Sequence, residues 1–138
     1  QERGFFGFDK KEDVKYILIS EKGCADPSAE YSLELADGLL PLDIHTFDKD
    51  AFILENEQVH KVTLYTKEKK ACLSLHFHTP VVGLWSPPAK NAPFVCIEPW
   101  YGRCDRAHYT GEYKDKDWMQ HLHPDKTFKG GYTIEIEE

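Results

Sequence analysis

Apolar residues recur at every second position in short runs, and turn-forming residues separate the runs. Val62 and Leu64 alternate with Lys61 and Thr63; Ala71, Leu73, Leu75 and Phe77 alternate with Cys72, Ser74 and His76; Tyr132, Ile134 and Ile136 alternate with Thr133, Glu135 and Glu137. Successive side chains of a strand point to opposite faces, so this period marks strands with one buried and one wet face. Lys67-Glu68-Lys69-Lys70 joins the first two runs as a hairpin turn. Residues 14–20, 51–54, 81–86 and 94–98 are further strand-like runs, and Tyr31, Leu33 and Leu35 alternate with Ser32 and Glu34. Ala25-Asp26-Pro27-Ser28 reads as a loop and Asp37-Gly38 as a turn, while Pro41 and the aspartates after it make 39–50 a loop or a single helical turn. Pro87, Pro88 and Pro93 hold the segment between two strands out of any central ladder. Trp118, Met119 and Leu122 suit a short helical turn that Pro124 ends. The expected fold class is all-β and antiparallel.

The 138 residues suffice for one domain with its own core, since single domains run to about 100–150 residues. Hydrophobic residues at 41% and charged residues at 30% are a globular balance and exclude a disordered tail. The 24 acidic and 17 basic side chains leave a formal charge of −7, which repels phosphate backbones and anionic bilayers, so neither nucleic acid nor membrane is an expected partner. No run approaches the roughly 20 apolar residues of a membrane span, and no basic region precedes an apolar signal segment; a cytoplasmic protein is expected. Cys24, Cys72, Cys96 and Cys104 form no CxxC pair and read as reduced thiols. The aromatic opening around Gly4-Phe5-Phe6-Gly7-Phe8, with no initiator methionine, reads like the middle of a longer protein.

The chemistry concentrates near Glu98. In an extended segment Phe94, Cys96, Glu98 and Trp100 fall on one side, and Val95 and Ile97 on the other. Aromatic and thiol surroundings disfavour an ionised carboxylate, which is how proteins prepare a glutamate for proton transfer near neutral pH. Pro99 lacks a donor, so regular pairing is expected to stop there and leave Glu98 at a strand terminus. A solvated acid on an edge strand is the alternative reading of the same pattern.

The string Phe94-Val95-Cys96-Ile97-Glu98-Pro99-Trp100-Tyr101-Gly102, with Gly83-Leu84-Trp85-Ser86 and Asp50-Ala51-Phe52-Ile53-Leu54 ahead of it, resembles the aldose 1-epimerase family and its galactose mutarotase-like, LacX-related branch. The resemblance runs from about residue 31 to the end, including Leu122, Pro124, Phe128, Tyr132 and Ile134. It implies a galactose mutarotase-like antiparallel β-supersandwich, a fold longer than this chain, so that residues 1–138 are expected to be its C-terminal part and to pair with an N-terminal half of the same domain. It also implies interconversion of the α and β anomers of a free or phosphorylated aldose, without a cofactor or metal. A base takes the proton of the C1 hydroxyl, an acid protonates the ring oxygen, C1 rotates, and the roles reverse. Glu98 matches the family's base, Asp50 an aspartate that hydrogen-bonds sugar hydroxyls, and Trp100 offers an aromatic face to the sugar. A solvated loop acid and an ordinary core indole are the alternatives for Asp50 and Trp100. The family's general-acid histidine matches no segment, so this stretch alone is expected to be inactive.

Other chemistries have weaker footing. His76 and His78 share a face about 7 Å apart, a spacing that suits zinc, and His121 and His123 repeat it, but further ligands are not evident. Arg103 and Arg106 read as exposed loop arginines. A sugar-binding β-sandwich without catalysis is the rival function.

Overall fold

The computed structural model describes residues 3–138. Ten strands follow one another: β1 (Gly4–Phe8), β2 (Lys15–Ile19), β3 (Ala25–Ser32), β4 (Leu39–Leu42), β5 (Phe52–Leu54), β6 (Lys61–Tyr65), β7 (Ala71–Phe77), β8 (Val81–Trp85), β9 (Cys96–Trp100) and β10 (Tyr132–Ile136). They form two five-stranded sheets, ordered β10-β7-β6-β1-β4 and β3-β2-β5-β8-β9, and every strand pairing is antiparallel. The sheets pack face to face as a sandwich. Phe6, Phe8, Leu40, Val62, Leu75 and Phe77 of the first meet Phe52, Leu54, Val82 and Leu84 of the second, with Val95 and Ile97 packed against them.

The aromatic opening becomes an interior strand, β1, between β6 and β4. Phe6 and Phe8 enter the core, and Gly7 on the opposite face leaves room for the Tyr65 ring, whose Cε2 would lie 2.6 Å from an added Cβ. The β6–β7 hairpin forms as the alternation predicts, with Val62 facing Leu75 and Thr63 facing Ser74. The latter pair is buried, and its hydroxyls satisfy each other at 2.7 Å.

Prolines misled the sequence reading in three places. Residues 25–28, expected as a loop, begin β3, and β3 stops at Ser32 so that the expected strand at 31–35 is only its tail; Leu33 is nonetheless buried, its N–H donated to the Val14 carbonyl at 2.8 Å. Residues 39–42 are β4 rather than a loop. Pairing in β9 continues through Pro99, opposite Val82, to Trp100, opposite Val81. β3, β4 and β9 are all edge strands, where a residue without an N–H leaves no ladder bond unmade. The expected helical turn near Trp118 lies earlier, as a 3-10 turn at Tyr113–Asp115.

β10 closes the first sheet, with Tyr132, Ile134 and Ile136 opposite Phe77, Leu75 and Leu73. Partners directly opposite share a face, so this apolar row points the same way as the core residues of β7. It is nevertheless 63%, 54% and 71% exposed, and none of the three joins the core between the sheets.

Candidate active site

Strand β9 divides its side chains between two environments. Ile97 and the preceding Val95 pack on the core between the sheets, which sends Cys96, Glu98 and Trp100 to the other face of the second sheet. Trp100 joins a second apolar cluster there, formed by Ile17, Ala25, Ile53 and Val81 with Ile19 and Trp118 beside them. Glu98 stands at the border of this cluster, half-buried, and its cross-strand partner is Gly83.

The indole of Trp100 and the carboxylate of Glu98 are in contact: Trp100 Nε1 donates to Glu98 Oε2 at 3.2 Å. Cys96 lies on the other side of Glu98 in the same row. Burial first, then the charge and hydrogen bonding of Glu98, push the Cys96 thiol above its ordinary range. Sequence reasoning therefore grouped these three side chains correctly, and no histidine is among the hydrogen-bond partners of Glu98 in the described residues.

A strap formed by residues 101–118 covers the neighbouring part of this face. Ala25 donates its N–H to the Asp105 carbonyl at 2.8 Å and accepts from Ala107 N–H at 2.8 Å. The strap is fastened by Arg103, whose side chain is 1% exposed. Its Nε donates to Glu55 Oε1 and its Nη2 to Asp117 Oδ2, both at 2.6 Å, and its Nη1 to the Cys104 carbonyl at 3.0 Å. Arg106 also donates to Asp117, through Nε at 2.9 Å, and Trp118 Nε1 donates to Glu55 Oε1 at 2.9 Å. The Arg106 hydrogen bonds, and then Arg103, hold the Asp117 carboxyl below its usual range. The reading of Arg103 as an exposed loop arginine is thus corrected: Glu55 and Asp117, distant from it in sequence, enclose its guanidinium. A rigid planar fork with five donors suits such a role.

Asp50 lies outside the strands, at the end of the turn that leads into β5. It is exposed, has a left-handed φ of 73°, and accepts the Ala51 N–H through Oδ1 at 2.7 Å. The strand it precedes, β5, is separated from β9 by β8. The carboxylates of Asp50 and Glu98 have no hydrogen-bond partner in common among the described residues.

His76 and His78 face different neighbours. His76 Nε2 is 2.8 Å from Glu135 Oε2, and the exposed His78 ring lies 4.9 Å from that of His60. Among the described residues no three His, Cys, Asp or Glu side chains are grouped as metal ligands, and no helix is long and apolar enough to cross a membrane. All four cysteines are free thiols. A groove of about 900 Å³ opens between Arg3, Leu42, Leu64, Lys67, Asn91 and Phe94; Glu98 is not in its wall.

Two packed antiparallel sheets with this strand order define a galactose mutarotase-like β-sandwich. The fold superposes on a galactose mutarotase related enzyme from Lactobacillus acidophilus with a TM-score of 0.82 and 28% identity, covering 97% of this chain and 45% of that one. It also superposes on a galactose mutarotase-like protein from Lactobacillus casei with a TM-score of 0.76 and 20% identity, over 98% of this chain and 46% of that one. Sequence and fold similarity together support an aldose 1-epimerase, galactose mutarotase-like assignment for most of the chain. Its relatives include the plasmid and chromosomal forms of protein LacX from Lactococcus lactis subsp. lactis, each 32% identical over 98 residues, which are 70% of this chain and 32% of LacX. The chain thus spans less than half the length of these relatives. No family model matches it.

Proposed function

We propose that the protein interconverts the anomers of a free or phosphorylated aldose, with Glu98 as the base that takes the C1 hydroxyl proton. The observation that carries this reading is the half-buried Glu98 carboxylate, held by an indole N–H beside an apolar cluster, in a chain related to mutarotase-like proteins. A half-buried carboxylate whose Oε2 is held by the Trp100 N–H suits a general base. Asp50 and the indole of Trp100 are the proposed sugar-binding groups.

The acid that protonates the ring oxygen is proposed to come from the N-terminal half of the same domain. Two observations support a larger domain: the relatives are more than twice as long as the matched stretch, and the row Tyr132, Ile134 and Ile136 lies uncovered on the core side of its sheet. On this reading residues 1–138 are the C-terminal part of one domain and do not mutarotate alone.

A sugar-binding sandwich without catalysis is the second reading, favoured by the lack of a histidine partner for Glu98 among the described residues. Polarimetry of freshly dissolved α-glucose and α-galactose with full-length protein separates the two. Wild type speeds the approach to equilibrium and Glu98→Gln loses at least about a hundredfold, the scale of general base catalysis; equal rates for the two proteins remove Glu98 from the mechanism.

A further inference from the structure

The alignment of Trp100 with Glu98 depends on a third residue on the next strand. Gly83 is the cross-strand partner of Glu98, and the six-membered ring of Trp100 fills the space above it. A Cβ built on Gly83 would lie 2.5 Å from Trp100 Cζ2, 2.7 Å from Cη2 and 3.2 Å from Cε2. Real Cβ contacts are not so short, so any side chain at position 83 displaces the indole. The ring is confined on its other edges by the cluster with Val81 and Ile53, and displacement carries Nε1 away from Glu98 Oε2.

We infer that Gly83 and Trp100 are positioning residues for Glu98: the bare backbone of Gly83 seats the indole, and the seated indole holds the carboxylate in one orientation through its N–H. Gly83 acts without touching the substrate. Resting on the mutarotase reading, the inference explains why a glycine stands in the middle of a paired strand, where it forfeits side-chain packing and favourable strand propensity. It assigns the indole N–H a role separate from any contact its ring makes with sugar. Fixing a base in its reactive orientation affects the transition state more than the resting complex, so the expected signature is in kcat.

The test uses full-length protein and four variants: Trp100→Phe, which keeps an aromatic ring over Gly83 but has no donor; Gly83→Ala; the double variant; and Glu98→Ala. In polarimetry with α-galactose, each single change at 83 or 100 lowers kcat about tenfold or more, and in Trp100→Phe, which keeps an aromatic ring, the fall in kcat exceeds any rise in KM. The double variant falls no further than Trp100→Phe, because no N–H remains to be misplaced. In ¹H–¹⁵N spectra the Trp100 indole signal, identified by its loss in Trp100→Phe, moves in both Glu98→Ala and Gly83→Ala. An unmoved indole signal in Glu98→Ala, or an unchanged kcat in Trp100→Phe, overturns the inference. Should Glu98→Ala turn over sugar as fast as wild type, the mutarotase assignment of Glu98 fails, and the indole spectra still decide whether Gly83 and Trp100 position the carboxylate. Gly83→Ala is interpreted only where its far-ultraviolet dichroism matches wild type; Trp100→Phe carries the test otherwise.

Discussion

Replacing Arg103 by methionine leaves a side chain of similar reach in the same space but removes the cation between Glu55 and Asp117. Arg103 is 1% exposed and makes three hydrogen bonds, two of them to carboxylates at 2.6 Å. The loss is unequal for the two acids. Asp117 retains Arg106, whereas Glu55, whose side chain is 13% exposed, retains only the Trp118 indole among the described residues. Removing one partner of a buried ion pair costs about 3–5 kcal/mol, because the remaining charge is uncompensated. That is a large share of the 5–15 kcal/mol typical of a folded domain. With a urea slope of about 2 kcal/mol/M, the unfolding midpoint falls by about 1.5–2.5 M. Arg103→Lys keeps a point charge without the planar fork and falls between methionine and wild type. Combining Arg103→Met with Glu55→Gln and Asp117→Asn restores much of the loss, since no buried charge is then left alone. Urea unfolding followed by tryptophan fluorescence measures all three. A midpoint for Arg103→Met within about 0.5 M of wild type refutes the view that this guanidinium fastens the strap.

Two further outcomes follow from the same geometry. Leu84 is 0% exposed between Phe52 and Ile97 on the neighbouring strands, so Leu84→Ala lowers unfolding free energy by about 2–5 kcal/mol in chemical denaturation. The Asp117 carboxyl is held below its ordinary value of 3.8, chiefly by Arg106; its stabilisation is fully present above that unfolded-state value and is lost as pH falls through the lower folded-state value. Acid titration of the urea midpoint accordingly declines below about pH 4, and Asp117→Asn flattens that decline. An acid limb of equal steepness in the variant shows that other carboxylates govern it.

The fold was legible in the sequence wherever apolar and polar residues alternate along a strand. The alternation in 61–65, 71–77 and 132–136 identified β6, β7 and β10, and the grouping of Cys96, Glu98 and Trp100 followed from the same period. Edge strands were harder to read, because Pro27, Pro41 and Pro99 break the local signal while the sheet border tolerates a missing donor. The uncovered row on β10 was also invisible, since alternation reports which side chains share a face and not whether another layer lies over them. Within the site, Glu98 and Trp100 were singled out, whereas Gly83 and Arg103 were not given their structural parts. Both depend on tertiary neighbours: an indole from the adjacent strand in one case, and acids 48 and 14 positions away in the other. The resemblance contained Gly83, but only the coordinates give it a physical reason.

The bare flank of β10 has an energetic meaning beyond topology. Fully burying a large aliphatic or aromatic side chain stabilises by about 1.5–3 kcal/mol, and Tyr132, Ile134 and Ile136 each keep more than half of their surface in water. Several kilocalories of hydrophobic driving force are therefore still unspent at this end of the sandwich. Whichever surface comes to lie there gains that free energy on contact, so the strength with which the last strand holds to β7 is set by its company as much as by its own hydrogen bonds.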